Sequence, residues 1–208
     1  MPRRALVQAS EELASRDSRI AALVATVGPC DIRPRRPRRT HFAELARAIC
    51  YQQLAGPAAT AIHGRFEALF DGAPTPEAVL AAPVESLRRA GLSGSKTTSI
   101  RDLAERVETG EVELDRVARL RDAEIVRELT LVRGIGRWTA EMFLIFQLGR
   151  LDVWPVDDFG VRKGYARIYS LAEAPKPRAL ETLGDSFRPY RSVAAWYCWR
   201  AADIQDFA

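Results

Sequence analysis

Two adjacent carboxylates, Asp157 and Asp158, stand in the run Leu-Asp-Val-Trp-Pro-Val-Asp-Asp-Phe-Gly of residues 151–160. A carboxylate held beside a reacting centre can stabilise developing positive charge, or position a water for attack. The pair also sits where a helix starts after Pro155, and an Asp there caps the first backbone N–H groups. One of the two can cap while the other faces a pocket. Upstream lies Leu-Val-Arg-Gly-Ile-Gly-Arg-Trp, residues 131–138. Two glycines around one apolar residue let the backbone turn sharply with its N–H groups exposed. Those amides fall at the start of the next helix, where unpaired donors and the helix dipole favour an anion such as a phosphate. Ile135 would be the apolar peg fastening the turn to the core. Taken alone, each feature has a plainer reading, a solvated cap in one case and an ordinary glycine helix stop in the other.

The elements that must position these groups read almost entirely as short helices. Residues 5–27 carry apolar positions at helical spacing (Leu6, Leu13, Ile20, Leu23, Val24). The segment 31–40 then interrupts with two prolines and five arginines, and can either bind nucleic acid or merely connect two helices. Thr40 is placed to cap a helix with Phe42, Leu45 and Ile49 on one face. Gly56-Pro57 punctuates it, and helical spacing resumes over 58–70. Thr75-Pro76 looks like a cap with proline at the first helical position. Helices are expected over 95–107, from Asp122 to about Leu131, from Arg137 to Leu148, from the Asp pair through Tyr165, and from Tyr190 to about Ala202. Only Leu-Asp-Val-Trp, residues 151–154, has an extended character. The expected fold class is all-α.

Hydrophobic residues are 47% and charged residues 28% of 208, an ordinary globular composition. No apolar run nears the roughly 20 residues of a membrane span. The N-terminus lacks the apolar stretch of a secretory signal, so a cytoplasmic location is expected. The net charge is +4, and of 31 basic residues all but Lys96, Lys163 and Lys176 are arginine. Arginine's rigid fork suits phosphate, though a genome that spells basic residues as arginine gives the same bias. Three widely spaced cysteines, Cys30, Cys50 and Cys198, exclude a disulfide framework and a Cys-x-x-Cys metal knuckle.

The stretch LTLVRGIGRWTAEMFLIFQLGRLDVWPVDDFGVRKGY (129–165) resembles the helix-hairpin-helix element, loop and Asp of a superfamily of base-excision DNA glycosylases. It is most similar to the 3-methyladenine-DNA glycosylase II (AlkA-type) branch. The likeness extends to residues 42–66, 91–107 and 187–200, and so covers nearly all of 40–202. Larger members carry an extra N-terminal α/β domain, which is not expected in a chain of this length. The resemblance implies one helix-hairpin-helix glycosylase domain over 1–208. In it, a helical subdomain of about 40–120 joins the hairpin and catalytic loop of about 121–165, and the terminal helices complete a second subdomain across an active-site cleft.

The same resemblance implies a monofunctional glycosylase that hydrolyses the N-glycosidic bond of alkylated purines in double-stranded DNA. Asp158 matches the catalytic position and Asp157 a structural one. Relatives that also cleave the backbone carry a lysine near Trp138 to form a Schiff base. Trp stands here, and no lysine occurs between Lys96 and Lys163. A non-catalytic DNA-binding module and a bifunctional glycosylase/lyase for oxidised bases are the alternatives. Iron–sulfur relatives need four cysteines after the Asp, and only Cys198 follows. A flipped base is gripped by stacking, the more strongly when it is electron-poor or cationic. Trp138 and Trp199 are the pocket candidates implied, with Gln52, Tyr51 and Met142 beside them. Met142 stands where the family has an aromatic, which leaves open the choice among 3-methyladenine, 7-methylguanine, hypoxanthine and etheno adducts. Phe42 and Trp154 are secondary candidates, with core packing as the alternative.

The wedge that fills the hole left by a flipped base falls at Gln53 or Leu54. Arg133, Gly134, Ile135, Gly136, Arg137, Thr139 and Lys163 are the implied DNA contacts, and Lys96 could also meet phosphate. The backbone carbonyls of Thr130, Val132 and Ile135 are the implied ligands of a Na+ or K+ ion; no other cofactor is expected. The expected partner is damaged double-stranded DNA, bound by a monomer.

Overall fold

The computed structural model describes residues 3–32 and 39–204. Among them are twelve α-helices, two 3-10 turns and one π-helical turn, and no strand. The spacing that reads as one helix over 5–27 is divided by Asp17, whose carboxylate accepts from Arg19 N (2.8 Å) and Ile20 N (3.2 Å). A short acidic side chain competes for backbone donors in this way and starts a new helix. The result is α1 (Arg3–Arg16) and α2 (Ser18–Val27).

Next comes α3 (His41–Tyr51), capped by Thr40 Oγ1 accepting Ala43 N at 3.1 Å, with Phe42, Leu45 and Ile49 buried. α4 (Gly56–Ala68) opens on Gly56-Pro57, and α5 (Pro76–Ala81) is capped by Thr75. α6 (Val84–Arg89) has six residues, too few for periodicity to reveal. α7 (Gly94–Glu108) is capped by Ser93, and α8 (Asp122–Leu129) and α9 (Arg137–Phe143) flank the glycine turn. The helix expected to run to Leu148 changes over Leu144–Leu148 to π-helical bonding. α10 (Phe159–Ile168) follows the Asp pair; α11 (Pro177–Leu183), also short, precedes α12 (Arg191–Asp203).

The chain divides into two units. One comprises Arg36–Phe143; the other comprises Met1–Arg35 with Leu144–Ala208. The sequence reading grouped the catalytic loop with the hairpin, but the loop belongs with the terminal helices. The reason is the crossing of α10 and α12. A Cβ at Gly164 would lie 1.8 Å from the carbonyl oxygen of Cys198, so only glycine lets the two backbones touch there. Ala194, Ala195 and Ala201 keep α12 slim beside it, all fully buried.

The run 151–154 is not a strand; it is tied to the start of α12. Val153 N donates to Ser192 Oγ (2.9 Å) and Ser192 N to Leu151 O (2.9 Å). The Arg191 guanidinium meets both Asp152 carboxylate oxygens at 2.8 and 3.0 Å. Trp154 is core. It donates Nε1–H to Leu180 O (2.8 Å) and packs on Phe187 and Tyr165.

Candidate functional site

In the unit of α10 and α12, Asp158 caps α10. Its Oδ1 accepts Val161 N at 2.8 Å and the Trp199 indole N–H at 3.0 Å. Sequence reasoning divided capping and chemistry between two residues; the structure assigns the cap to Asp158 itself and leaves Asp157 exposed. The two uses are compatible, because a carboxylate offers about four acceptor positions. Trp199 reaches Asp158 because residue 160 is glycine. A Cβ there would meet the indole at 2.9 Å and Asp158 Oδ1 at 3.1 Å. One more aromatic completes the group: Phe146, in the π-helical turn, stacks on Trp199 with centroids 5.6 Å apart and planes 23° from parallel. Phe146 escaped the sequence reading because helical spacing cannot anticipate a π turn, although such turns mark functional sites often enough to be a signal once seen. Phe159, next to Asp158, is 68% exposed, an uncommon position for a large apolar side chain. Beneath the site, burial and then the Asp158 charge push the Cys198 thiol up, so it stays protonated and inert. Burial likewise pushes Cys30 and Cys50 up to about 12.

In the other unit, the hairpin between α8 and α9 turns at Gly134 with φ +79°, and a Cβ there would also strike Ser99 Oγ at 2.7 Å. Ile135 and Val132 are buried. Not all the turn amides face outward as the pattern suggests: Arg133 N donates to Asp102 Oδ2 (2.7 Å) and Ile135 N to Val132 O (3.1 Å). Gly136 differs from Gly134. It has no positive φ, and a Cβ on it would meet nothing within 4 Å. Arg133 and Trp138 are exposed, Trp138 by 45%. Arg137 holds buried Glu141 through Nε at 2.9 Å. Thr139 is buried, so its side chain is not a DNA contact, since helix packing faces it inward.

The turn between α3 and α4 contains Gln52, Gln53 and Leu54. Gln52, expected at the pocket, donates its amide to Gly134 O at 2.8 Å. Gln53 adopts φ +55°, and Leu54 is 38% exposed. Tyr51, also expected at the pocket, is engaged internally. Its OH lies 3.0 Å from Thr60 Oγ1, Arg47 covers its ring at 4.1 Å, and His63 meets it edge-on. Phe42 is core. Lys96, expected at phosphate, donates Nζ–H to Cys50 O at 2.8 Å. The candidates thus form two groups: Asp158, Trp199, Phe146 and exposed Lys163 in one unit; Trp138, half-buried Met142, the hairpin and the α3–α4 turn in the other. Of the arginine segment, Arg33 to Arg38 lie outside the described residues, while Arg39 pairs with Glu67 at 2.9 Å.

Carbonyl oxygens are hard donors suited to an alkali cation. Of the three expected ligands, Val132 O accepts the Ile135 N–H and keeps a second lone pair. That donor chemistry is compatible with such an ion. No cluster of His, Cys, Asp or Glu among the described residues could hold a metal, and no helix there is long and apolar enough to cross a membrane.

Residues 46–189 match the family described as HhH-GPD superfamily base excision DNA repair protein. The DNA-3-methyladenine glycosylase 1 of Schizosaccharomyces pombe is 36% identical over 97% of this chain and 90% of its own length. The structure of the S. pombe 3-methyladenine DNA glycosylase in complex with abasic DNA superimposes with a TM-score of 0.83 at 35% identity, over 97% of this chain and 99% of that one. A DNA-3-methyladenine glycosidase from Bacillus halodurans superimposes at 0.84 with 36% identity, over 92% of this chain and 88% of its own.

Proposed function

The chain belongs to the HhH-GPD superfamily of base excision DNA repair proteins, and from that premise we propose that it is a monofunctional DNA glycosylase. It releases alkylated purines such as 3-methyladenine from double-stranded DNA and leaves an abasic site. The observation that carries the reading is the Asp158 carboxylate, fixed by the Trp199 indole at 3.0 Å beside the Trp199–Phe146 stack.

The reaction breaks the bond from sugar C1′ to the base nitrogen. The bonding pair leaves with the base, the sugar takes on oxocarbenium character, and water adds to C1′ and gives up a proton. Asp158 stabilises that cation and orients the water. Its two N–H donors fix the carboxylate before the substrate arrives, so no reorganisation is needed in the transition state. A flipped base stacks on Trp199. The backbone of the hairpin at Gly134–Gly136, with Arg133 and Lys163, meets phosphates. Gly136 supports this, since nothing within the protein requires glycine there and a DNA backbone at that point would. Gln53 or Leu54 fills the hole in the duplex. A Na+ or K+ on the carbonyls of Thr130, Val132 and Ile135 would add positive charge beside the phosphate. The enzyme works as a monomer in the cytoplasm, associated with the nucleoid if the cell is prokaryotic.

The test is a panel of duplexes, each with one defined lesion, assayed for free base and abasic sites with wild type and Asp158→Asn. Asn still caps the helix but lacks the charge, so release of alkylated purines should fall about 10²–10³-fold. A variant with undiminished release overturns the role of Asp158. A borohydride-trapped protein–DNA adduct would show the lyase chemistry of the bifunctional alternative.

A further inference from the structure

We infer that α7 is a strut fixing the spacing between the hairpin turn and the α3–α4 turn, with Lys96 and Gln52 as positioning residues for base flipping. The inference rests on the reading of the α3–α4 turn as the wedge.

Lys96, Ser99 and Asp102 follow one another at three-residue steps, which places them along one face of α7. Each touches the hairpin turn or the end of α3 that leads into the α3–α4 turn. Lys96 Nζ donates to Cys50 O, at the end of α3, at 2.8 Å. Asp102 Oδ2 accepts the hairpin amide of Arg133 at 2.7 Å. Ser99 lies so close to Gly134 that a Cβ on the glycine would come within 2.7 Å of its hydroxyl. Gln52 closes the ring from the other side, donating to Gly134 O at 2.8 Å. Two loops remote in sequence are thus tied to one helix and to each other.

Directly after the ring, next to Gln52, stands Gln53 at φ +55°. A non-glycine residue keeps that conformation only where its neighbours over-determine it. Here the residues before it are bound on both sides, Cys50 by Lys96 and Gln52 by Gly134. The exposed Leu54 follows directly. A wedge must enter the stack in register with the phosphates the hairpin grips, and a turn already held in shape loses little freedom on entering. The advantage is greatest where flipping is costly, at a lesion well paired with its partner, and least where the opposite base is missing.

The readout is a ratio of single-turnover rates. The lesion is the alkylated purine that the wild type releases fastest, placed opposite its pairing base or opposite an abasic site. Lys96→Met and Gln52→Ala should each raise the ratio of unpaired to paired release about tenfold, because the loss falls on the paired substrate, where unstacking and unpairing are dearest. Lys96→Arg, which keeps a donor at the same place, should restore most of it. A ratio equal to wild type, or losses equal on both substrates, overturns the strut. Gln53→Ala and Leu54→Ala serve as controls. If they too leave the ratio unchanged, the wedge reading itself fails; if they raise it while Lys96→Met and Gln52→Ala do not, the strut alone fails.

Discussion

In the unit built on α10 and α12, the carboxylate is held by backbone against backbone. Gly164 touches the carbonyl of Cys198, Gly160 admits the indole of Trp199, and the indole fixes Asp158. In the unit of α3 to α9, the working turns are held by side chains reaching across. Lys96 holds α3, Asp102 holds the hairpin, and Gln52 joins the two. Nearby stands a charged cluster in which Arg39 and His63 share Glu67, and Arg47 pairs with Glu44. A dry crossing defines position to within a fraction of an ångström and tolerates no added volume. Polar ties can be lengthened or titrated, which suits parts that must meet a bulky, charged and variable partner.

The contrast is sharpest at Gly164. Gly164→Ala must push α12 away from α10 and should destabilise the protein by about 3 kcal/mol, an overpacking cost. Urea denaturation measures it; an unchanged midpoint would mean that the crossing is not tight. Trp199→Phe keeps an aromatic ring against Phe146 but removes the indole N–H from Asp158. Base release should slow about tenfold, the ~1.4 kcal/mol typical of a hydrogen bond to a charged group, with binding of undamaged duplex retained. Equal rates would show that Val161 N suffices to place the carboxylate.

In the other unit, Gly136→Ala should fold normally, since its Cβ meets nothing. Close approach by a phosphate should nevertheless be hindered, weakening duplex binding about fivefold, or ~1 kcal/mol. Titration of a fluorescent duplex decides between that loss and none.

The last effect is electrostatic. Burial raises Glu44 to about 6, against the opposing charge of Arg39. Because the folded value lies above the unfolded one, Glu44's contribution to stability is complete below pH 4.5 and is lost as pH rises through about 6. Glu44→Gln should therefore gain on wild type by about 1 kcal/mol between pH 4.5 and 7, the figure being reduced for partial solvent screening. Unfolding curves at the two pH values test the sign.

Much of this was legible in the residue order. Thr40, Thr75 and the Gly-Ile-Gly turn mark helix ends through local rules of capping and backbone freedom, which act over a few residues and survive in any context. The all-helical class followed from apolar spacing, and the resemblance of 129–165 to one superfamily agrees with the match over 46–189. Short helices such as α6 and α11 escaped, since six or seven residues give periodicity little to act on.

What the sequence by itself determined is the set of elements and the family; what the tertiary structure alone decided is how the side chains are employed. Residue type does not say that Asp158 caps its own helix, that Lys96 serves a carbonyl and not a phosphate, or that Gln52 bridges to Gly134. Nor does it say that Phe146 joins Trp199. Apart from the cap, each of these contacts joins a side chain to a partner far along the chain that the local pattern does not specify. The partner is chosen by which backbones can approach, and at Gly164 and Gly134 that approach is set by the absence of a single methyl group.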